Sequence, residues 1–345
     1  MTEKLLFLDR SAVLACLAEV DPCAVVTGVL QHHAEGHTTL PPEGYLPWTN
    51  SEGAYCRSIA MLGAVDTGNG PPVIGVKLIN AATSNPTHGR ERAVGLGLVF
   101  DPETARPRVL AEAGWLSATR TAAYTMVSLR YLGPLRWDAM SLLGCGTLAR
   151  AHIDLLSGAF PRATRVHLYD TVRPRAAALA EWTRRHHPHL TVRVHDSAQE
   201  AVQASSIVVT TTTADCGYLP AAWLAPGTFV AHVSLDDLLP DAFLTAQGLF
   251  VDDVDLVSDN PCRILGRMMR DGQVAAHPDV SGSGSGQAVD GTLGQVLTGK
   301  RPAIRPTSGH VISNPFGMSV LDVGLLEAVY TVAVDRGLGQ VLTLY

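Results

Sequence analysis

The sequence predicts an α/β protein in which a doubly wound parallel sheet is joined to a discontinuous α+β domain. One support is a G-x-G-x-x-A motif at residues 144–149, set between an apolar run at 140–143 and a helical segment at 148–156. Strand-like and helix-like segments then alternate from residue 137 onward, as they do in a doubly wound sheet. About 138 residues precede this region, so a second substantial domain must fold before it.

The glycine motif has the composition of a Rossmann dinucleotide-binding turn. Gly144 permits the tight turn, Gly146 lets the backbone approach a pyrophosphate, and Ala149 keeps helix and strand close. Thr147 and Leu148 begin the helix, whose free N–H groups and positive dipole end favour phosphate. The motif in this context predicts dinucleotide binding rather than a plain structural turn.

An acidic residue after the next strand indicates which dinucleotide binds. The strand at 165–169 ends on Asp170, and a carboxylate there accepts hydrogen bonds from a ribose diol. Its charge would repel a 2′-phosphate, which favours NAD. Arg173, three residues later, is the opposing signal for NADP. We expect NAD.

Residues beyond the motif are expected to complete the cofactor site. Thr211 and Thr212 end one strand and would meet ribose or nicotinamide, and Ser234 and Leu235 follow another and would approach the nicotinamide ring.

The repeat SGSGSG at 281–286 predicts a mobile loop, with a phosphate cradle as the alternative. The predicted strands are 139–143, 165–169, 191–195, 206–210, 228–233 and 248–252, and a crossover helix is predicted at 173–186.

The segments before the glycine motif predict the α+β domain. Turn signals at 66–72 and 101–102 separate strand-like runs, and a proline- and glycine-rich loop is expected at 40–47. The predicted strands are 5–8, 54–61, 73–79, 93–100 and 107–113, and the predicted helices begin near Ala12 or span 21–33 and 116–132.

A long apolar helix is predicted at 318–333, after the apolar pair at 311–312 and the segment SNPFG at 313–317. We expect the nucleotide domain to be complete by about residue 305 and this helix to return to the first domain. The predicted domains are therefore 1–118 with 311–345 for substrate binding and dimerisation, and 119–310 for NAD binding.

Composition narrows the class of protein. Hydrophobic residues make up 46% and charged residues 17% of 345 residues, which is typical of a well-packed globular protein. The net charge of −6 gives no basic field, so a nucleic-acid partner is not expected. Six scattered cysteines without a C-x-x-C pair indicate thiols in a reducing compartment.

Targeting and metal signals are weak. Asp9 and Arg10 interrupt the first apolar stretch, and no apolar run approaches the ~18 residues that span a membrane. We therefore expect a cytoplasmic protein without a membrane partner. The histidines at 186–189 lie in a polar connection and predict a solvated loop rather than a metal site.

Three fragments in a fixed order carry a family resemblance. They are GVKLIN at 75–80 with Asn85-Pro86, SATRTAA at 117–123, and the glycine motif. The chain resembles the ornithine cyclodeaminase/μ-crystallin family over nearly its whole length. That resemblance implies a split α/β dimerisation domain around a central Rossmann domain, and a homodimer.

Further fragments are similar to one branch of that family. SLDDL at 234–238, VDDVD at 251–255, and NPFGM at 314–318 with Leu321-Asp322 resemble the N-(2-amino-2-carboxyethyl)-L-glutamate dehydrogenases. The resemblance implies NAD-dependent oxidation of a glutamate–diaminopropionate conjugate to 2-oxoglutarate and L-2,3-diaminopropionate, for siderophore or peptide-antibiotic assembly. AATS at 81–84 and the SGSGSG repeat depart from the expected pattern.

Three cations are candidates for binding substrate carboxylates. Lys77 interrupts an apolar strand, either as an edge charge or as a cation in a cleft. Arg120 either clamps a carboxylate or forms an interdomain salt bridge. The resemblance favours the binding role for both residues, and partial desolvation of Lys77 would also permit proton transfer. Arg57 is the third cation, with a solvated face as the alternative.

One aspartate is the candidate base. Asp236 and Asp237 both follow the strand at 228–233, at the carboxyl edge of the sheet, and a turn or capping role explains either one. The resemblance selects Asp237, which would hold the substrate amine and act as base on that amine or on the hydrolytic water. The alternatives to the dehydrogenase function are ornithine cyclodeaminase, ketimine reductase or amino-acid dehydrogenase activity. An alternative of another class is a dinucleotide-dependent binding protein like μ-crystallin.

Overall fold

The protein is described by a computed structural model that covers residues 4–68, 70–260, 262–278 and 286–344. The chain divides into two compact units. Met1–Arg120 and Met318–Tyr345 form the first unit, and Thr121–Gly317 form the second. Each unit is described in turn.

The elements follow one another along the chain, with α3 continuing from the first unit into the second. The first unit begins with β1 (Lys4–Leu8), α1 (Arg10–Leu17), α2 (Pro22–Ala34), β2 (Thr38–Thr39), β3 (Gly44–Thr49), β4 (Tyr55–Val65), β5 (Val73–Ala82), β6 (Ala93–Phe100), β7 (Pro107–Glu112) and α3 (Gly114–Leu132). The second contains β8 (Ala139–Leu143), α4 (Thr147–Ala159), β9 (Arg165–Tyr169), α5 (Arg173–His186), β10 (Thr191–Val194), α6 (Ala198–Gln203), β11 (Ile207–Thr210), β12 (Phe229–His232), α7 (Pro240–Leu244), β13 (Gly248–Val251), α8 (Val254–Asp259), α9 (Ile264–Arg270), β14 (Val274–Ala275), β15 (Gln287–Ala288), β16 (Gly291–Thr292), α10 (Leu293–Leu297) and β17 (Val311–Asn314). The first unit is completed by α11 (Ser319–Arg336) and β18 (Gln340–Thr343).

A mixed sheet forms the base of the first unit. Its order is β18-β1-β7-β6-β5-β4-β2, and β3 pairs with β4. Strands β4 to β7 are antiparallel neighbours, while β1 runs parallel to β7. Helices α1, α3 and α11 pack against this sheet, and the shared apolar core includes the strand residues Leu8 and Val99 and the helix residues Val13, Leu116 and Leu325.

Helix α11 approaches the sheet at a position that carries no side chain. Gly97 on β6 is paired with Lys77 on β5. A Cβ atom at Gly97 would lie 2.8 Å from Leu326 Cδ2 of α11, so a larger residue there would require the Leu326 side chain to move. Asp322 precedes Leu326 by about one helical turn, and the close packing brings its carboxylate to Lys77.

The second unit is built on a parallel sheet in the order β10-β9-β8-β11-β12-β17-β13-β16. From β8 the chain moves outward through β9 to β10, and it resumes on the other side of β8 at β11. The switch point therefore lies between β8 and β11, where open α/β sheets bind their ligands. The predicted α/β class with a doubly wound parallel sheet is confirmed.

Several predicted elements are confirmed in detail, and others need correction. The strands at 139–143 and 165–169 and the helix at 173–186 have the predicted bounds. The predicted loop at 40–47 is wrong in part, because β3 begins at Gly44. Among the described strands β3 pairs only with β4, and an edge strand tolerates Pro47, which has no N–H to donate.

The predicted return to the first domain at residue 311 also needs correction. Strand β17 is hydrogen-bonded between β12 and β13 within the second sheet, so the chain leaves the second unit only after Gly317. The apolar pair at 311–312 begins β17 and belongs to the parallel sheet. The roles predicted for the two units stay predictions, and the predicted loop at 281–286 lies outside the described residues except for Gly286.

Among the described residues, no individual helix has the length and apolar content needed to cross a membrane. Helices α1 and α2 reach those limits only when taken together, and they are bent by 85° at the break between them.

Candidate functional site

Two of the three predicted cations meet one carboxylate inside the first unit. Lys77 Nζ donates a hydrogen bond of 2.6 Å to Asp322 Oδ2. Arg120 Nε lies 3.0 Å from Asp322 Oδ1, as an ion pair rather than an aligned hydrogen bond. All three side chains are buried, with exposed fractions of 5% for Lys77, 8% for Arg120 and 2% for Asp322. One carboxylate is therefore shared by two buried cations.

Burial makes the charge of this cluster sensitive to pH. Burial lowers the pKa of Lys77 to about 8; Asp322 opposes this shift and Arg120 adds to it. Burial alone would raise the pKa of Asp322, but Arg120 and Lys77 together hold it below its usual range. Lys77 is thus mostly protonated at neutral pH and loses its proton slightly above it.

Arg57 and an unpredicted carboxylate lie on the same face of the sheet. Arg57 is on β4, four residues before Met61, which is paired with Lys77. The period of two along a strand places Arg57, Met61 and Lys77 on one face. The Arg57 Nε atom is buried and has no hydrogen-bond partner among the described residues. Glu43, just before β3, interacts electrostatically with all three predicted cations.

The sequence assigned no site role to either acid of this group, although Asp322 belongs to a fragment that carries the family resemblance. Asp322 interrupts the apolar first two turns of α11, and an acid at that position was the available signal. Glu43 lies in the segment PPEG, which reads as a turn. Neither acid is close in sequence to Lys77, so only the fold brings them together.

The glycine turn of the second unit follows β8. Gly144 has φ +87°, and a Cβ atom there would lie 2.7 Å from Thr211 O. Gly146 is exposed, and a Cβ atom there would meet nothing within 4 Å. Gly146 is the N-cap residue of α4, and no side chain at this position accepts a hydrogen bond from the first N–H groups of the helix, which begins with Thr147 and Leu148. The helix start therefore has room and N–H groups for an anion.

The next two predicted residues reinforce this turn. Ala149 is fully buried, as expected for close packing of α4. Asp170 accepts hydrogen bonds from Cys145 N and Val172 N, both at 2.8 Å. Its carboxylate therefore braces the glycine turn in this structure. The exposed Arg173, the opposing signal for NADP, pairs with Asp196.

The hydroxyl residues after β11 take two different roles. Thr211 Oγ1 donates to Leu143 O at 3.1 Å and to Gly144 O at 2.7 Å, so it also fixes the glycine turn. Thr212 Oγ1 instead donates to Asp237 Oδ1 at 2.5 Å. In this structure one threonine thus holds the turn and the other holds Asp237, and the expectation that both meet the cofactor stays a prediction.

The geometry separates the two candidate aspartates. Asp236 is paired with Arg263 Nη1 at 2.5 Å and accepts from Ile264 N at the start of α9. Asp237 is fully buried and accepts hydroxyl hydrogen bonds from Thr212, Ser234 and, at 3.0 Å, Tyr218. Asp236 therefore has a structural role, while Asp237 is the centre of a hydroxyl cluster.

The backbone and a buried histidine fix this cluster. Leu235 adopts φ +73°, which is unusual for a residue with a branched side chain and marks a constrained turn. His232 Nδ1 donates to Asn314 Oδ1 at 2.7 Å, and its Nε2 accepts from Asp237 N at 3.0 Å. Burial lowers the pKa of His232, so the ring is neutral and its hydrogen bonds orient the turn.

The histidine-rich connection engages other partners. His187 Nε2 lies 3.0 Å from Asp154 Oδ1, and His189 Nε2 lies 2.7 Å from Ser157 Oγ. Elsewhere in the described chain, His32, Glu35 and His37 bring possible ligand atoms within 4.8 Å of one another. The sequence reasoning had not identified that group.

Comparison with known proteins places these features in a family. The model of the ornithine cyclodeaminase/mu-crystallin family matches residues 6–337. The chain is 26% identical to the N-((2S)-2-amino-2-carboxyethyl)-L-glutamate dehydrogenase of Staphylococcus aureus (strain NCTC 8325 / PS 47), covering 100% of both proteins. It is 55% identical to the protein in the crystal structure of CmnK, with a TM-score of 0.91 and 99% of each chain covered.

A more distant structure is similar in fold. The Thermococcus litoralis Delta(1)-pyrroline-2-carboxylate reductase, solved in complex with NADH and L-proline, has a TM-score of 0.84 at 19% identity, with 97% of this chain and 99% of that chain covered. The resemblance found in the sequence is confirmed. The chain belongs to the ornithine cyclodeaminase/mu-crystallin family.

Proposed function

We propose that this protein is an NAD-dependent dehydrogenase that oxidises N-(2-amino-2-carboxyethyl)-L-glutamate. The observation that carries the proposal is the buried cation cluster, in which Lys77 and Arg120 share the single carboxylate of Asp322. Together with Arg57, these residues provide a positive excess for an acidic amino acid. The full-length similarity to the Staphylococcus aureus enzyme supports this substrate class.

NAD is the cofactor, and the residues of the second unit fit it. Open space at Gly146 leaves room for a pyrophosphate beside the uncapped start of α4. Asp170 can exchange a backbone hydrogen bond for the ribose diol, and its charge disfavours a 2′-phosphate. Leu235 and Ser234 are proposed to border the nicotinamide. When bound, NAD accepts the hydride from the substrate carbon.

The substrate is held by its carboxylates and must present a neutral amine. Protonated Lys77, Arg120 and Arg57 bind the carboxylates and fix the orientation of the glutamyl Cα. Loss of the Cα hydride leaves an imine, and water then cleaves the C=N bond. The balanced reaction is substrate + NAD⁺ + H₂O → 2-oxoglutarate + L-2,3-diaminopropionate + NADH + H⁺.

Asp237 is proposed to remove protons through its hydroxyl partners. Its carboxylate is buried, whereas Ser234 and Thr212 are only partly buried. A proton from the substrate amine passes to the Ser234 hydroxyl as that hydroxyl passes its own proton to Asp237 Oδ2. The hydrogen bonds from Thr212 and Tyr218 keep the carboxylate in place.

The direct test is an assay of purified protein. NAD and N-(2-amino-2-carboxyethyl)-L-glutamate should yield NADH with equal amounts of 2-oxoglutarate and L-2,3-diaminopropionate, and NAD should be preferred to NADP. Conversion of ornithine to proline and ammonia without net NADH would instead establish cyclodeamination. Dinucleotide binding without turnover of any amine would establish a binding protein.

The first unit is also proposed to form a homodimer through the sheet face opposite α11. Leu46, Leu62, Val94 and Leu96 lie on that face, with exposed fractions between 45% and 64%. Several exposed apolar side chains on one sheet face are typical of an interaction surface, and a second copy of the chain would cover them.

Charges on this face should break the dimer. We expect the double substitution Leu62→Asp and Leu96→Asp to give a monomer by light scattering after size-exclusion chromatography, because each buried carboxylate would lack a partner. Leu135→Asp is the control, since Leu135 is 83% exposed in the second unit and should leave the mass unchanged. A monomeric unsubstituted protein would contradict the proposed dimer.

A further inference from the structure

Glu43 occupies an unusual place for an acid, at the edge of the cation cluster. Gly44, the first residue of β3, pairs with Ala60 of β4. Extending this antiparallel register by one residue sets Glu43 opposite Met61, and Met61 is paired with Lys77 on β5. Residues in one cross-strand row project from the same face. Glu43 and Lys77 therefore lie on one face, with a single strand between them.

The neighbouring cations do not engage Glu43 directly. Lys77 and Arg120 both form their ion pairs with Asp322. Burial raises the pKa of Glu43, although Lys77, Arg120 and Arg57 oppose this effect. The cost of burying the carboxylate is thus not fully offset by the cations at their present distances. A further cation at hydrogen-bond distance would offset it.

We propose that Glu43 forms a subsite for the primary ammonium group of the substrate, on the half that becomes L-2,3-diaminopropionate. This inference rests on the proposed function, and it assigns the ligand class of a position next to the carboxylate-binding cations. A diamino acid with several carboxylates carries an ammonium group as well as negative charges. Glu43 would pair with the ammonium group, and the cations would pair with the carboxylates. Amino acids that lack the second amine leave Glu43 unpaired.

The alternative is that the Glu43 carboxylate occupies the site of a substrate carboxylate before substrate binds, and we call this role a stand-in. In that role Glu43 would form close ion pairs with the cations that bind the substrate. In the structure Asp322 holds that position instead. The segment before Glu43, Pro41-Pro42, also restricts the backbone on one side, which favours a fixed acceptor over a displaceable one.

The experiment compares two ligands that differ in one amine. Their dissociation constants are measured by calorimetry with the NADH-loaded protein. One ligand is N-(2-amino-2-carboxyethyl)-L-glutamate and the other is N-(2-carboxyethyl)-L-glutamate, which lacks the primary amine. We expect Glu43→Gln to weaken binding of the first about 10- to 100-fold, the effect of removing a charged hydrogen-bond partner, and of the second by less than about threefold.

Glu103→Gln is the matched control, because Glu103 is exposed in the turn after β6 and should change neither constant. If Glu43→Gln weakens the binding of both ligands equally, or of neither, the assignment of the ammonium subsite would be overturned. Tighter binding of both would establish the stand-in. The binding ratio does not require turnover, so a protein that shows the ratio but releases no 2-oxoglutarate would keep the subsite and disprove the proposed reaction.

Discussion

Lys77→Met is expected to lower kcat/KM for the acidic amino-acid substrate by about 100-fold or more. The substitution removes a buried cation from a substrate carboxylate, and the loss of one partner of a buried pair costs about 3 kcal/mol or more. The fold should survive for two reasons. Burial is the main cause of the lowered pKa of Lys77, so the buried charge is itself costly and an apolar side chain removes that cost. Arg120 also still neutralises Asp322. Steady-state kinetics with a thermal melt measures both effects.

Lys77→Arg provides the control, since it retains the charge but cannot titrate in this range. In the unsubstituted protein kcat/KM should decline above about pH 8, where Lys77 loses the proton that binds the carboxylate. The sign follows from the lowered pKa: the cation is present below about 8 and lost above it. With arginine this alkaline decline should disappear. Full activity of Lys77→Met would exclude Lys77 from the site.

Gly144→Ala is expected to destabilise the second unit by about 3 kcal/mol and to abolish tight NAD binding. Two causes add: an L-residue at φ +87° is strained, and the new Cβ would lie 2.7 Å from Thr211 O. The obstructing atom is backbone and cannot rotate away. Urea unfolding and NAD titration measure the two losses.

Gly146→Ala is the matched substitution two residues later. Gly146 has φ −93°, and a Cβ atom there meets nothing within 4 Å. Stability should therefore be unchanged, while the methyl group enters the space assigned to the pyrophosphate and weakens NAD binding about tenfold or more. Unchanged NAD affinity in Gly146→Ala would place the cofactor elsewhere.

The second unit was largely predictable because its signals are local. A buried parallel strand is recognised in the sequence as a short apolar run, and the glycine motif predicts the type of turn that follows the first of these strands. The exception was β17, whose apolar run resembled the start of the returning segment. Its place between β12 and β13 depends on a long-range strand order that local patterns do not specify.

The candidate site of the first unit was only half predictable. Lys77 and Arg120 break the patterns around them, and the family resemblance gave them a role. Asp322 lies 245 residues after Lys77, and their contact forms where α11 packs against the sheet beside Gly97. The position of Glu43 follows from strand register, which begins inside a segment that had been predicted as a loop.

Transfer of an isotope from one carbon tests the central claim most directly. With deuterium at the glutamyl Cα of N-(2-amino-2-carboxyethyl)-L-glutamate, the protein should transfer deuterium to NAD, so that each NADH formed carries one deuterium and 2-oxoglutarate appears in equal amount. Unlabelled NADH together with release of glutamate that retains its deuterium would contradict the account, because the other carbon of the C–N–C linkage would then have been oxidised.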